Sequence, residues 1–222
     1  MNFLYETHMH TAEVSACSGS TAAEQVQAYK NNGYTGVIIT DHFINGNSTC
    51  PKDAPWDTRM KHFVRGYENA KKAGDACGLD VFFGWEYTIR GSDFLTYGLD
   101  LGFLLAHPNF DVLPIEEYSA LVRDCGGFLA QAHPFRDAWY IDNKYPVESY
   151  LVDALEVYNS MDSDISNKKA EAYAARHNLP IQAGSDSHHS RHARYSGIIL
   201  HEKANSIFDI IDAIANKKVK LI

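Results

Sequence analysis

Cysteine is sparse and unpaired in this chain: Cys17, Cys50, Cys77 and Cys125 are scattered over 222 residues with no C-x-x-C pair. That spacing excludes a zinc finger and points to reduced thiols rather than a disulfide framework. Long apolar runs are missing too. The longest, such as "GVIIT" and "LDVFFGW", are strand-sized, far short of the roughly 20 residues of a membrane-spanning helix. No basic stretch followed by a long apolar one opens the chain, so no signal peptide is expected, and the protein is expected to be soluble and cytoplasmic. Positive charge is in deficit, with 20 Lys and Arg against 28 Asp and Glu and a net charge of -8. That balance argues against nucleic acid as a partner but not against a small phosphorylated one, because bound cations make a pocket locally positive whatever the global sum. Internal repeats, low-complexity segments and linkers are lacking as well, so residues 1–222 are read as one domain.

What is present is an alternation of strand-like and helix-like segments, with 45% apolar residues to fill a core. Residues 3 to 7 read as a strand. Thr21 and Glu24 form a T-x-x-E capping box ahead of a helix that stops at Gly33. "GVIITD" is the next strand, followed by one helix from about Asp57 to Cys77 and the strand "LDVFFGWEY". "FLTYGLD" lies close enough to be the hairpin partner of that strand. The alternation resumes with a helix near 115 to 125, the strands "GFLAQAH" and "ALEVYN", a helix from about Ser163 to His177, and the strand "LPIQAGSD". "SGIIL", a helix displaying Ile207, Ile210, Ile211 and Ile214, and "VKLI" complete the chain. This order predicts an α/β fold with a mostly parallel sheet, open or closed into a barrel, whose chemistry sits at the carboxyl ends of the strands.

Those strand ends carry a particular set of residues. His8 and His10 close the first strand, where positions i and i+2 share a face and put both imidazoles on one point. Asp41 and His42 close the second strand, Glu86 the third, His133 the strand in "LAQAHPF", and Asp186 and His188 the last parallel strand. Asp93 opens the hairpin's second strand and so lies beside the end of the first. Gathering this much ionisable surface at one rim without a cation would cost several kcal/mol per group. A multinuclear metal centre resolves the conflict. Imidazole and carboxylate without thiolate suit Zn, Mn or Fe, and Glu86, with two oxygens, can bridge two cations.

With H-x-H in "THMH", D-H in "TDH", the glutamate of "GWEY", the histidine of "AHPF" and D-x-H in "SDSH", the chain resembles the PHP (polymerase and histidinol phosphatase) domain family. The resemblance runs from residue 8 to 188. It implies a distorted seven-stranded (β/α) barrel with two or three divalent metal ions at the C-terminal rim of the strands, and phosphoesterase activity. Position by position, it makes His8, His10, Glu86 and Asp186 ligands of one metal. Glu86 bridges to a second metal that His133 also binds, and His42 and His188 take a third. The chain departs from the family at "DFLTYGLD", where Asp93 stands at a position that is histidine in many members. It departs again after H-x-H, where Glu13 or Cys17 stands in for a further ligand.

The implied reaction is attack on phosphorus by a hydroxide bridging two metals, in line with the leaving group. Glu86, His42 and His188 are the candidate catalytic residues; His188 or His42 can protonate the leaving oxygen, and Asp41 can orient His42. Arg136, Arg191 and Arg194 are candidate phosphate-binding residues, and Trp139 and Tyr158 candidate pocket walls. The expected substrate is a small phosphorylated molecule, such as histidinol phosphate, a nucleotide or a sugar phosphate. The alternatives are a noncatalytic metal-binding PHP module, a PHP-type exonuclease, or a phosphotyrosine phosphatase.

Overall fold

In β1 (Phe3–Met9) the two-residue period of a strand sends Tyr5 and Met9 into apolar clusters and turns Glu6, His8 and His10 to the opposite side. The same division recurs in β3 (Asp80–Ile89), where Trp85 and Tyr87 are buried in a large aromatic cluster and Glu86 between them faces the other way. These coordinates are a computed structural model and describe residues 2–139, 141, 146–193 and 196–222. The sheet runs β7-β6-β5-β4-β3-β2-β1-β8-β9. Strands β1, β2 (Gly36–Ile39) and β3 are parallel. β4 (Ser92–Tyr97) returns antiparallel to β3, and β5 (Phe128–Gln131) is antiparallel to β4. β6 (Ala154–Asn159) and β7 (Ile181–Gly184) continue in parallel from β5.

β7 then approaches the carboxyl-terminal half of β1. The backbone N–H of His10 donates to Ser187 O at 3.0 Å, and Thr7 Oγ1 donates to Ala183 O at 2.8 Å. The barrel is thereby nearly closed. Among the described residues its strands number nine and their directions are mixed, not the seven expected. β8 (Ile198–Leu200) pairs antiparallel with the first residues of β1, and β9 (Lys220–Leu221) pairs antiparallel with β8. Both segments are visible as apolar runs, but antiparallel pairing over two or three residues is a long-range choice that leaves no local pattern.

Helices α1 (Ala22–Asn31), α2 (Trp56–Phe63), α3 (Arg65–Cys77), α4 (Leu101–Ala106), α5 (Ile115–Asp124), α6 (Asp164–His177) and α7 (Ile207–Ala215) link or flank the strands. α1 starts at the expected capping box, with Thr21 N–H on Glu24 Oε2 at 2.8 Å. The expected helix over 57–77 is two helices, divided at Val64, whose ψ of -6° leaves the α-helical range. Gly66 in the first turn of α3 lies against Asp41 and Thr11, where a Cβ would collide with both side-chain oxygens. α4 was not expected; Asp100 caps it by accepting from Phe103 N–H at 3.0 Å. Among the described residues no helix is long and apolar enough to cross a membrane.

Candidate metal centre at the barrel rim

The eight residues expected to hold metal, His8, His10, His42, Glu86, Asp93, His133, Asp186 and His188, converge. Glu86 is the hub: its Oε1 lies 3.2 Å from His8 Nε2 and 3.2 Å from His133 Nε2, and its Oε2 lies 2.6 Å from His42 Nδ1 and 3.5 Å from His10 Nε2. Asp186 Oδ1 lies 3.1 Å from His10 Nε2 and 3.5 Å from both His8 Nε2 and His188 Nδ1. Asp93 faces Thr88 across the hairpin, accepts from its hydroxyl at 2.6 Å, and reaches within 3.7 Å of His133 Nε2. Four triads have ligand atoms within 4.8 Å of one another: His8–His10–Glu86, His8–His133–Asp186, Glu86–Asp93–His133 and His10–His42–His188. His133 and Asp186 adopt φ values of 28° and 54°, left-handed conformations that cost about 1–3 kcal/mol each and concentrate at functional sites.

Two atoms of this cluster test whether a cation fits. Glu86 Oε2 and His42 Nδ1 are both buried and neither has a hydrogen-bond partner, although only 2.6 Å separates them. An acceptor oxygen and a ring nitrogen this close and buried, with no hydrogen bond to satisfy either, are two donor atoms that a cation would satisfy. The donor set of imidazoles and carboxylates suits a transition metal.

Charge in the cluster is balanced by protons that cations would displace. Burial pushes Glu86 up, but the positive charge of His42 and His8 and the hydrogen bond from His133 outweigh it and hold the carboxyl well below its usual range. Burial likewise opposes the ionised form of Asp186, and His8, Arg136 and His10 reverse the balance, holding it well below its usual range. His8 is driven upward against burial by Glu156, Asp186 and Glu86, and His42 by Glu86 and Cys17. His10 moves the other way: burial, with repulsion from His188 and His42, keeps it well below its usual value and therefore neutral. Asp93 is pushed up to about 6 by burial and by the charge of Glu86. Cation binding therefore competes with protonation of His8 and His42.

A second layer fixes the rings. Ser15 Oγ donates to Asp41 Oδ1 at 2.7 Å, so it can only accept from His10 Nδ1 at 3.0 Å, which leaves the His10 Nε2 lone pair facing the cluster. Asp41 thus acts on His10 through Ser15. Its oxygens also accept from Thr11 N–H at 2.6 Å and Thr11 Oγ1 at 2.7 Å, and the His42 backbone N–H donates to the same Ser15 hydroxyl at 3.0 Å. The expected influence of Asp41 on His42 thus runs through Ser15 to the His42 backbone.

Glu156, which sequence reasoning missed, is the counterpart for His8. Its Oε1 accepts from His8 Nδ1 at 3.0 Å, while Oε2 accepts from His133 N–H at 3.0 Å and from Asn159 Nδ2 at 2.8 Å. Gly184 makes room for this contact, since a Cβ there would stand 2.5 Å from His8 Cβ and 2.7 Å from Glu156 Oε1. Glu6, also unforeseen, lies deeper and accepts from His8 N–H at 2.8 Å, Ser185 N–H at 2.9 Å and Tyr29 OH at 3.0 Å; burial pushes it up to about 7.

A cavity of about 500 Å³ opens over the cluster, with Cys17, Asn47, Arg136 and Trp139 in its wall. Arg136 Nη2 donates to Asp186 Oδ2 at 2.7 Å and to Asn159 Oδ1 at 3.2 Å, so the guanidinium clamps a cluster carboxylate. Arg191 does not line this cavity; it lies exposed with Nε 3.3 Å from His192 Nε2. Arg194 lies outside the described residues. Tyr158 is not in the cavity wall either, whereas Trp139 is. Of the two residues offered for the loop after H-x-H, Glu13 is spent elsewhere, accepting from Ala22 N–H at 2.9 Å and Asn69 Nδ2 at 3.1 Å. Cys17 faces the cluster. Burial opposes its ionisation, but hydrogen bonds to His188 and His42 bring the thiol down to about 6.

Residues 164–219 match the model of the PHP-associated family. The whole chain superimposes on a two-domain protein from Bacteroides vulgatus named for a PHP-like metal-dependent phosphoesterase, with a TM-score of 0.73 and 16% identity. The match covers 100% of this chain and 65% of that one, so this chain spans a little under two thirds of the neighbour's length. A protein from Bifidobacterium adolescentis named as a metal-dependent phosphoesterase aligns at a TM-score of 0.57 and 16% identity, covering 96% of each chain. A lesion-specific endonuclease from Pyrococcus furiosus aligns at 0.67 and 16% identity, over 100% of this chain and 58% of that one. No curated protein matches the chain by sequence.

Proposed function

We propose that this chain, whose residues 164–219 match the PHP-associated family and whose fold is shared with proteins named as metal-dependent phosphoesterases, one of them PHP-like, is itself a metal-dependent phosphoesterase that hydrolyses a small phosphate monoester. The observation that carries the reading is Glu86, buried with four imidazole nitrogens within 3.5 Å of its two oxygens and one of those oxygens without a hydrogen bond. In this reading His8, His10, Glu86 and Asp186 hold one cation, Glu86, Asp93 and His133 a second, and His42 and His188 a third. Zn, Mn and Fe suit these donors. When bound, divalent cations neutralise the phosphoryl oxygens and lower the pKa of water so that no protein nucleophile is needed.

The chain's own residues do the remaining work. Ser15 and Glu156 hold the Nδ1 protons of His10 and His8, so both Nε2 atoms face the cluster. Arg136 keeps Asp186 in place and adds positive charge to the cavity wall where a phosphate enters. His188 donates its Nδ1 proton to Asp186 O at 2.8 Å, which directs Nε2 elsewhere, and its ring is 21% exposed. At low cation occupancy that nitrogen is the group placed to carry a proton to the leaving oxygen. A cavity of about 500 Å³ suits a compact substrate, and the net charge of -8 disfavours a polynucleotide.

The test is metal analysis joined to a substrate panel. The purified protein is expected to hold at least two equivalents of transition metal, to hydrolyse p-nitrophenyl phosphate faster than bis(p-nitrophenyl) phosphate, and to turn over members of a phosphorylated-metabolite panel. A metal-replete protein inert to every phosphoester would overturn the enzyme reading in favour of a binding module, and preference for the diester would overturn the monoester.

A further inference from the structure

We propose that Cys125 and His107 form a second site, remote from the metal centre, at which Cys125 carries an apolar acyl group as a thioester with its chain laid in the neighbouring cavity. The site goes beyond the phosphoesterase reading and does not rest on it.

The sequence D-C-G-G places the cysteine. Gly126, with a φ of 79°, ends α5, and Gly127 N–H returns to Val122 O at 2.8 Å, so Cys125 stands on a closed last turn. It is exposed, and its Sγ lies 3.9 Å from His107 Nε2. His107 follows α4 and is fixed twice: Nδ1 donates to Phe103 O at 3.0 Å, and the ring stacks on Phe103 with centroids 4.5 Å apart. A carbonyl only accepts, so Nδ1 carries the proton, and in the neutral ring Nε2 is the acceptor turned to the thiol. A nucleophile, a base within reach and a third group that orients the base make up the signature of covalent catalysis. Cys125 also caps the carbonyl end of α5, whose partial negative charge favours an imidazolium beside it.

Both residues line a cavity of about 890 Å³ with Tyr67, Phe83, Leu99 and Phe208. Phe83 lies in the first half of β3 and Leu99 follows the end of the antiparallel β4, so the cavity sits toward the end of the barrel opposite the rim. Among its described lining residues Glu68 and Asp100 are charged and none is lysine or arginine. That lining disfavours a phosphate or a free fatty-acid carboxylate and leaves a neutral apolar chain as the occupant. The acyl donor is an acyl thioester of a small thiol. Cys125 Sγ adds to its carbonyl carbon while the thiol proton passes to His107 Nε2; the donor's carbon–sulfur bond then breaks, and the departing thiolate takes that proton. One thioester replaces another, so no oxidant or reductant enters. The other cysteines lack this pairing with an imidazole beside an apolar cavity: Cys50 is buried with Sγ 3.8 Å from Arg59 O, Cys77 Sγ lies 3.7 Å from Gly74 O, and Cys17 lines the cavity over the metal cluster.

Incubating the full chain with decanoyl-coenzyme A or acetyl-coenzyme A, followed by peptide mass spectrometry, tests this without reference to phosphoester turnover. Decanoylation is expected at Cys125 and is expected to be reversed by hydroxylamine. Each methylene that enters the cavity favours the longer donor by about fourfold, so decanoylation of Cys125 should outpace acetylation by well over tenfold. His107→Gln should slow it at least tenfold, with circular dichroism confirming the fold. Phe208→Ser, at a position 55% exposed, should narrow the ratio between the two donors while leaving acetylation as it was. Absence of the acyl group from Cys125, equal labelling by the two donors, or a folded His107→Gln protein acylated at the wild-type rate would overturn the site. The phosphoesterase reading would stand in each case, because none of these residues touches the metal cluster.

Discussion

Replacing Glu156 with glutamine probes how this centre is held without touching any of its proposed ligands. The carboxylate accepts three hydrogen bonds, from His8 Nδ1 on one oxygen and from His133 N–H and Asn159 Nδ2 on the other. A glutamine has one acceptor and one donor end, so it cannot receive all three. Turning its NH2 toward His133 and Asn159 would leave two buried donors facing a third, at about 1–3 kcal/mol for each unsatisfied group. The amide instead turns its NH2 toward His8, which must give up the Nδ1 proton and carry one on Nε2. That is the nitrogen facing Glu86 at 3.2 Å and Asp186 at 3.5 Å, and once protonated it cannot ligate.

Loss of such an outer partner weakens metal binding about 10–100-fold, or about 1.4–2.8 kcal/mol. Competition against a chromophoric chelator measures the change, circular dichroism of the metal-free variant checks that it is folded, and nitrogen-15 imidazole shifts report the His8 tautomer. A folded Glu156→Gln protein that binds zinc as tightly as wild type would refute the argument that this carboxylate sets the tautomer.

Glu86→Gln should abolish both metal retention and phosphoesterase turnover, since its oxygens meet four imidazoles; elemental analysis and p-nitrophenyl phosphate assays read the two losses separately. Chelation should lower the unfolding temperature, because a cation at a hundred times its Kd stabilises the native state by about 2.7 kcal/mol; scanning calorimetry with and without added zinc checks it. Glu6 predicts a pH effect in metal-free protein. Burial raises it from 4.5 to about 7, so between those values only the folded chain holds the proton. Its stabilising contribution is present below pH 4.5 and is lost as pH rises through 7, by about 3 kcal/mol. Glu6→Gln should flatten that window and stabilise the metal-free protein above pH 7 in urea titrations; an unchanged pH slope would contradict the assignment.

The strand-end residues were legible because each sits where its strand's periodicity stops, and the H-x-H and D-x-H pairs place two side chains on one face by geometry alone. Glu156 and Glu6 were not, for the opposite reason. Each lies within a strand among Leu155 and Val157 or Tyr5 and Thr7, and a carboxylate alternating with such residues reads as a solvent-facing position. Both are buried here because the barrel interior beneath the rim is polar. The positive φ of His133 and Asp186 likewise had no glycine or asparagine to announce it. Of the fold, helix caps such as Thr21 and Ser163 were readable from local chemistry. The division at Val64 and the antiparallel pairing of Ile198–Leu200 with Phe3–Tyr5 depend on contacts remote in sequence.

Anomalous diffraction from crystals grown with zinc and collected across the zinc edge tests the central claim most directly. Peaks are expected beside Glu86 within bonding reach of His8, His10 and Asp186, and beside His133 and Asp93. Maps without anomalous density at Glu86 at saturating zinc would mean that these side chains gather for some reason other than a cation.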